Sequence, residues 1–171
     1  QISGAGASFP APLYAKWAEA QRAETGVTLN YQPIGSGGGV KQIKAKTVAF
    51  GASDKPLKAE ELQEAGLAQF PTVIGGVVVV MNLPGIESGQ IKLTAPLVAD
   101  IFLGKIKNWT DPAIAALNPG VKLPNLPITV VHRSDGSGTT FLFTSYLTQA
   151  APAWAQAVGA NDAIAWPTGQ G

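Results

Sequence analysis

Three serines follow glycine-rich turns at points where a helix is predicted to begin. They are Ser8, Ser36 and Ser137. The start of a helix carries unpaired backbone N–H groups and the positive end of the helix dipole, so it attracts anions without a cationic side chain. Glycine lets a ligand approach the backbone, and a serine hydroxyl can donate or accept a hydrogen bond. The recurrence predicts a site for a small anion, although any one of these serines alone would be an ordinary helix cap.

A charged pair lies just before the third serine. Arg133 and Asp135 are two residues apart, and Arg22 is the only other arginine of the chain. As a structural ion pair they would only stabilise the loop. As part of a site, Asp135 would orient a guanidinium that binds an oxyanion through two hydrogen bonds. We therefore predict that Arg133 contacts the anion and that Asp135 contacts Arg133 rather than the anion.

Asp54 follows a predicted strand and adds a carboxylate to the predicted site. It could serve only as the N-cap of the next helix. Beside an anion, however, a carboxylate is repulsive unless the anion carries a proton that the carboxylate can accept. Asp54 would therefore select a protonated oxyanion against an unprotonated one.

Several other site chemistries lack the residues that they need. The sequence has no G-x-G-x-x-G turn after a first strand, no Gly-Lys-Ser/Thr phosphate loop and no Gly-x-Ser-x-Gly elbow. It has no cysteine, and its one histidine, His132, adjoins Arg133 rather than a nucleophile. We therefore expect neither a metal site nor a cofactor, and we interpret His132 as a residue at a strand end rather than a catalytic base.

The composition excludes further classes of protein. Of 171 residues, 46% are hydrophobic and 13% are charged, which indicates a folded core and excludes disorder. The formal net charge of +1 gives no reason to expect binding to nucleic acid. The longest apolar stretch, 70–81, contains Pro71, Gly75 and Gly76 and falls short of a membrane span. The chain begins at Gln1 rather than methionine, from which we expect either a secreted precursor whose signal peptide has been removed or a trimmed chain.

The elements that would position these residues alternate between strands and helices. The predicted strands span 27–31, 48–52, 72–82 and 128–132, and the predicted helices span 12–25, 40–46, 59–66, 95–103, 112–117 and 138–148. This alternation indicates an α/β fold with a mainly parallel sheet, in which ligand-binding turns gather at the carboxyl ends of the strands.

Three local features add detail to this outline. The first helix would bury a face formed by Leu13, Trp17 and Ala20, and Asp111 would cap the helix over 112–117. Segment 72–82 is rich in valine and isoleucine, which make up six of its eleven residues, and this composition is typical of a strand buried on both faces. The final segment, 166–171, is predicted to be a loop without a terminal strand.

Five segments, in order along the chain, resemble a known family. They are 4–12 (GAGASFPAP), 34–40 (IGSGGGV), 50–54 (FGASD), 70–76 (FPTVIGG) and 133–139 (RSDGSGT). Together they resemble the bacterial periplasmic phosphate-binding proteins, the substrate-binding components of the high-affinity phosphate ABC importer. The resemblance extends over essentially the whole chain.

The resemblance implies roles for the predicted site residues of the first 82 positions. Ser8 and Phe9 would bind phosphate through backbone N–H groups, and the Ser8 hydroxyl would assist at a position where the family commonly has threonine. Ser36 would contribute its N–H group and its hydroxyl. Asp54 would accept the phosphate proton and so discriminate against sulfate.

The same resemblance implies roles for the predicted site residues after position 130. Arg133 would supply the one positive side chain, oriented by Asp135. Ser137, Gly138 and Thr139 would offer backbone N–H groups, and the two hydroxyls of Ser137 and Thr139 would add further bonds. No cofactor is implied, and the expected ligand is inorganic phosphate.

The resemblance also implies an architecture and a setting. Family members have two lobes of the type II periplasmic-binding-protein fold and are about twice as long as this chain. Residues 1–82 would form the first part of lobe I and residues 83–171 the first part of lobe II, so the chain would be an incomplete, N-terminal portion. We expect a periplasmic monomer that delivers phosphate to an ABC permease in the inner membrane.

An enzyme of related fold is the alternative. Secreted phosphatases share the fold, and Ser8 or Ser137 would then be the nucleophile. No histidine, lysine or metal cluster adjoins either serine in the sequence to activate it. A third interpretation, an extracellular adhesin or surface antigen, is supported only by the expected secretion.

Overall fold

Strands and helices alternate in the first part of the chain, and helices alone follow in the second. A computed structural model describes all residues from Gln1 to Gly171. The elements in chain order are β1 (Ile2–Gly6), α1 (Ala11–Thr25), β2 (Leu29–Gln32), α2 (Ser36–Lys44), β3 (Phe50–Ala52), α3 (Ala59–Ala65), α4 (Ala95–Phe102), α5 (Pro112–Leu117), α6 (Gly138–Ala150) and α7 (Pro152–Ala157). The predicted α/β class is confirmed, whereas β1 and α7 had not been predicted.

The three strands form one parallel sheet in the order β2-β1-β3. β1 is its centre, with Ile2 opposite Leu29 and Gly4 opposite Phe50. A Cβ atom at Gly4 would overlap the Phe50 ring, so the small residues of β1 leave room for the neighbouring side chain. Because all three strands run in the same direction, the turns that follow them meet at one edge of the sheet.

Tyr14 connects α1 to this sheet. It is 7% exposed, and its ring meets those of Tyr31 and Phe50 edge-on, at centroid distances of 5.0 and 6.1 Å. The prediction that α1 buries the face formed by Leu13, Trp17 and Ala20 is wrong, because Leu13 and Trp17 are 40% and 47% exposed. Trp17 stacks on Tyr14 with ring centroids 5.7 Å apart and lines an apolar groove beside the sheet.

Two apolar clusters hold the second part of the chain together. One is built around Ile114, and the other around Trp154; both side chains are fully buried. Helix α4 contributes to both clusters, since Leu97 faces the first and Val98 the second. This explains why α4 is apolar on more than one face. None of the seven helices has the length and apolar character needed to cross a bilayer.

Helix α5 begins and ends where the sequence predicts. Asp111 is its N-cap, and the Asp111 carboxylate accepts a hydrogen bond of 2.9 Å from the backbone N–H of Ala113. Replacing Asp111 with alanine is expected to lower the free energy of unfolding by about 1 kcal/mol, measured by urea denaturation. Asp111→Asn keeps an acceptor and should retain most of the stability, so an equal loss in both variants would contradict the capping role.

Segment 72–82 does not form the predicted strand. Ile74 and Val80 are 99% and 84% exposed, and no strand pairs with this segment. It borders an apolar groove of about 1410 Å³ that extends along α1 and β3, and the Tyr14 hydroxyl lies 2.9 Å from Thr72 Oγ1. A strand needs hydrogen-bonded neighbours, and the 171 residues provide none at this place.

Segment 128–132 also does not form the predicted strand. This part of the chain makes only isolated bridges, from Pro127 to Asn108 and from Val131 to Gln170. Gln170 N–H donates to Val130 O, and His132 N–H donates to Gln170 O, both at 2.9 Å. The final segment is therefore mostly loop, as predicted, but Gln170 in it pairs with backbone in the manner of a short strand.

Candidate anion-binding site

Ser8 and Phe9 lie in the turn between β1 and α1. The Ala7 N–H group donates to Ala52 O at 2.8 Å, and the Tyr31 hydroxyl donates to Ala7 O at 2.6 Å, so the turn is fixed from two sides. The backbone N–H groups of Ser8 and Phe9 have no acceptor within the protein. The N-cap of α1 is Pro10, so Ser8 precedes the helix instead of capping it. Two free donors thus lie at the carboxyl end of β1.

Ser36 is the first residue of α2, at the carboxyl end of β2. Gly35 before it has a φ of 86°, in the left-handed region that favours glycine, and a side chain there would overlap the Asp135 carboxylate. Ser36 is 2% exposed, and its hydroxyl accepts a hydrogen bond of 3.2 Å from the Asp54 backbone N–H. Ser36 therefore joins the turns that follow β2 and β3.

Asp54 is half-buried beside the start of α6. Burial raises the pKa of its carboxyl above the ordinary value of 3.8, and the charge of Arg133 opposes this with a smaller effect. A Cβ atom at Gly138 would lie 2.5 Å from both Asp54 Cβ and Ser36 Oγ. Only glycine at this position lets the start of α6 approach the two turns of the sheet so closely.

Arg133 and Asp135 form the predicted ion pair. Arg133 Nε donates to Asp135 Oδ1 at 2.7 Å, and Nη2 donates to Oδ2. These hydrogen bonds lower the pKa of the Asp135 carboxyl below its ordinary value. The remaining nitrogen, Nη1, lies 3.4 Å from Ser8 Oγ. Asp135 thus holds one edge of the guanidinium and leaves Nη1 directed toward the turn after β1.

Ser137 is the N-cap of α6, a helix of 13 residues. Its hydroxyl accepts a hydrogen bond of 3.2 Å from Thr140 N–H, and its own N–H donates to Asp162 O at 2.9 Å. Ser137 is only 1% exposed. The N–H groups of Gly138 and Thr139, in contrast, have no acceptor within the protein. Of the three serines, Ser137 alone caps a helix with its side chain. Its N–H group, which was expected to be free for the anion, is taken by Asp162 O, so the free donors here belong to the next two residues.

The two parts of the chain meet at this site. Gly37 N–H donates to Gly136 O at 2.9 Å, which joins the start of α2 to the turn before α6. Through this contact and those already described, the structure brings together the turns that hold Ser8, Ser36 and Asp54 with the segment 133–139. The Phe9 side chain, however, turns away toward Gly75 and is 48% exposed.

Two supporting residues give no clear signal in the sequence. Tyr31 holds the turn of Ala7, and burial raises the pKa of its hydroxyl, which keeps it a hydrogen-bond donor. His132 stacks on Trp166 with ring centroids 4.8 Å apart, and its Nδ1 atom lies 3.0 Å from Arg133 O. Tyr31 contacts a residue far away in the sequence, and His132 contacts the backbone of its neighbour, so the spacing of residue types along the chain reveals neither contact.

Comparison with known proteins places this arrangement in a family. The model of the PBP superfamily domain matches residues 1–170. The phosphate-binding protein PstS of Pasteurella multocida is 60% identical over 99% of this chain and 49% of its own length. The protein of the same name from Haemophilus influenzae is also 60% identical, over 99% of this chain and 51% of its own length. The chain spans about half the length of these curated relatives.

Solved structures resemble the chain in fold. One is a Clostridium perfringens protein with bound phosphate, provisionally named a phosphate ABC transporter substrate-binding protein. It is 26% identical to this chain with a TM-score of 0.61, and the match covers 85% of this chain and 55% of that protein. An ABC-type phosphate transport receptor from Vibrio cholerae has a TM-score of 0.62 at 21% identity, over 100% of this chain and 62% of its own, and shows the fold. These similarities confirm the resemblance seen in the motifs: the chain belongs to the PBP superfamily.

Proposed function

We propose that this chain carries the phosphate-contacting residues of a receptor that binds inorganic phosphate. The observation that carries the proposal is the set of free backbone N–H groups around the guanidinium of Arg133. They belong to Ser8, Phe9, Gly138 and Thr139. A tetrahedral oxyanion offers acceptors in several directions, and donors fixed by turns and a helix start bind it without reorganisation.

Asp54 supports a protonated anion as the ligand. Asp135 already neutralises Arg133, so the Asp54 carboxylate is the remaining formal charge at the site. An ionised carboxylate can only accept hydrogen bonds. Phosphate near neutral pH carries a proton that Asp54 can accept, whereas sulfate carries none and would be repelled.

The relatives support the same ligand and indicate a setting. The curated relatives are named phosphate-binding proteins, and the Clostridium perfringens structure contains phosphate. The name of the Clostridium perfringens protein supports delivery of phosphate to an ABC permease. We propose in addition a periplasmic location and a monomeric state for the whole protein, on the resemblance of the motifs alone. The ligand needs no cofactor.

The proposed lobes are residues 1–82 in lobe I and residues 83–171 in lobe II. Separate apolar clusters in the two parts support this division, as does a site built from turns of both. In the longer protein, the groove beside segment 72–82 would be covered by the remaining chain, which would give this segment its missing strand neighbours. The lobes would close on phosphate by hinge motion.

Isothermal titration of the whole protein tests the proposed function. Phosphate should bind, and an excess of sulfate should not displace it, because only phosphate carries an O–H group that can donate a hydrogen bond to the Asp54 carboxylate. Equal affinity for the two anions would contradict the proposed role of Asp54 in selecting phosphate against sulfate. A folded protein that binds no phosphate would overturn the function itself.

We propose binding without hydrolysis. The Ser137 hydroxyl is buried and caps α6, and the hydrogen-bond partner of the Ser8 hydroxyl is the Arg133 guanidinium, which is not a base. His132 stacks on Trp166, its Nδ1 atom lies 3.0 Å from Arg133 O, and it makes no hydrogen bond to either serine hydroxyl. No turnover of p-nitrophenyl phosphate is therefore expected; turnover that disappears in Ser137→Ala would favour the phosphatase alternative.

A further inference from the structure

The Lys55 side chain crosses from the first part of the chain to the second, directly beside Asp54. Its Nζ atom lies 2.9 Å from Asp162 Oδ1, 3.5 Å from Asn161 Oδ1 and 5.3 Å from the centre of the Phe141 ring. All three partners belong to residues 83–171. The side chains of Lys55 and Asp162 are 35% and 25% exposed, so the ion pair is partly shielded from water.

The partners of Lys55 are themselves fixed to α6. The Thr144 hydroxyl, on the buried side of α6, donates to Asn161 O at 3.0 Å and accepts from Asn161 N–H at 3.1 Å. Asp162 O accepts the N–H of Ser137, the N-cap of the same helix. Lys55 therefore binds a loop that is attached to α6 both at its start and one to two turns further along.

We propose that Lys55 is a positioning residue that latches the turn of Asp54 to the start of α6 and thereby slows phosphate release. This inference rests on the proposed function. A site divided between two parts of a chain retains its ligand only while the parts stay together, and a contact made only in the assembled arrangement favours that arrangement. Breaking the latch should therefore act mainly on the dissociation rate.

A simpler electrostatic effect makes the opposite prediction for one variant. If Lys55 acted only by attracting the anion, Asp162→Asn would free its positive charge and tighten phosphate binding. If Lys55 acts as a latch, the same variant breaks the ion pair and weakens binding. Asp162→Asn also preserves the size of the side chain and the backbone carbonyl that receives Ser137 N–H.

The experiment measures phosphate affinity and release for the whole protein at low and high salt. Lys55→Met and Asp162→Asn should each raise Kd roughly 1.5- to 5-fold, as expected for a partly exposed ion pair, and should do so less at high salt. The double variant should bind phosphate no more weakly than the single variants do, because both changes break the same ion pair. Lys55→Arg keeps the charge and should bind phosphate as the wild type does. Lys44→Met is the matched control, because Lys44 pairs with Glu61 at 2.7 Å within the first part of the chain, with similar exposure.

Three results would overturn the latch. They are unchanged or tighter binding by Asp162→Asn, additive effects in the double variant, and an equal effect of Lys44→Met. If circular dichroism shows that Lys55→Met is unfolded, Lys55→Gln is used in its place. If the folded wild type binds no phosphate, the proposed function fails and the latch with it; if it binds and the latch variants bind equally well, only the latch fails.

Discussion

Replacing Arg133 with alanine is expected to weaken phosphate binding roughly 10- to 150-fold, which corresponds to a charge-assisted hydrogen bond of about 1.5–3 kcal/mol. Arg133 Nη1 is the cationic donor directed at the Ser8 turn, and the other edge of the guanidinium is held by Asp135. The variant removes the donor and also leaves the Asp135 carboxylate unneutralised beside the anion, so both effects have the same sign. Isothermal titration of the whole protein with phosphate measures the loss.

Two further variants separate the guanidinium from a general effect of charge. Arg133→Lys keeps the charge but cannot hold Asp135 through two nitrogens while donating to the anion, so an intermediate affinity is expected. Arg22→Ala removes a positive charge from the exposed last turn of α1 and should leave binding unchanged. Wild-type affinity in Arg133→Ala, or an equal loss in Arg22→Ala, would contradict the assigned role.

The arrangement of the site could be predicted because the fold itself brings the turns together. Once strands alternate with helices in a parallel sheet, the turns at Ser36 and Asp54 must lie at the same edge, and the structure places them there. The turn at Ser8 joins them because β1, which was not predicted, lies between β2 and β3. The Arg133–Asp135 pair could be predicted from a spacing of two residues. Each of these conclusions depends on local sequence and on one general rule of topology.

The features that could not be predicted depend on partners far away in the sequence. The valines of segment 72–82 indicate a strand, but pairing requires neighbours that these 171 residues do not supply there. The sequence of β1 is weak as a strand, yet hydrogen bonds on both sides make it the centre of the sheet. Lys55 follows Asp54 without any signal, because its partner Asp162 is known only once the chain has folded.

The second large effect is expected at Asp54, in the choice between phosphate and sulfate. Asp54→Asn removes the negative charge that repels an unprotonated anion, and its amide can donate to sulfate. The preference for phosphate should fall roughly 10- to 150-fold, again the range of a hydrogen bond to a charged group. Titration with each anion measures the ratio, and Asp162→Asn is the control that removes a carboxylate near α6 but outside the anion-binding turns. An unchanged ratio in Asp54→Asn would contradict the selection by charge.

Asp54 should also affect stability without phosphate, in a way that depends on pH. Its carboxyl has a raised pKa in the folded protein, so its contribution to stability is fully present below the ordinary value of 3.8 and is lost as the pH rises through the folded-state pKa. Asp54→Asn should therefore exceed the wild type in free energy of unfolding at neutral pH and converge with it below pH 3.8.

Asp135 should affect stability in the opposite direction, because Arg133 lowers the pKa of its carboxyl in the folded protein. Its contribution to stability is present above pH 3.8 and is lost as the pH falls, so Asp135→Asn should be less stable than the wild type at neutral pH. Urea denaturation across this range distinguishes the two carboxylates, and a stability gain from Asp54→Asn that persists below pH 3.8 would show that burial of the charge is not its cause.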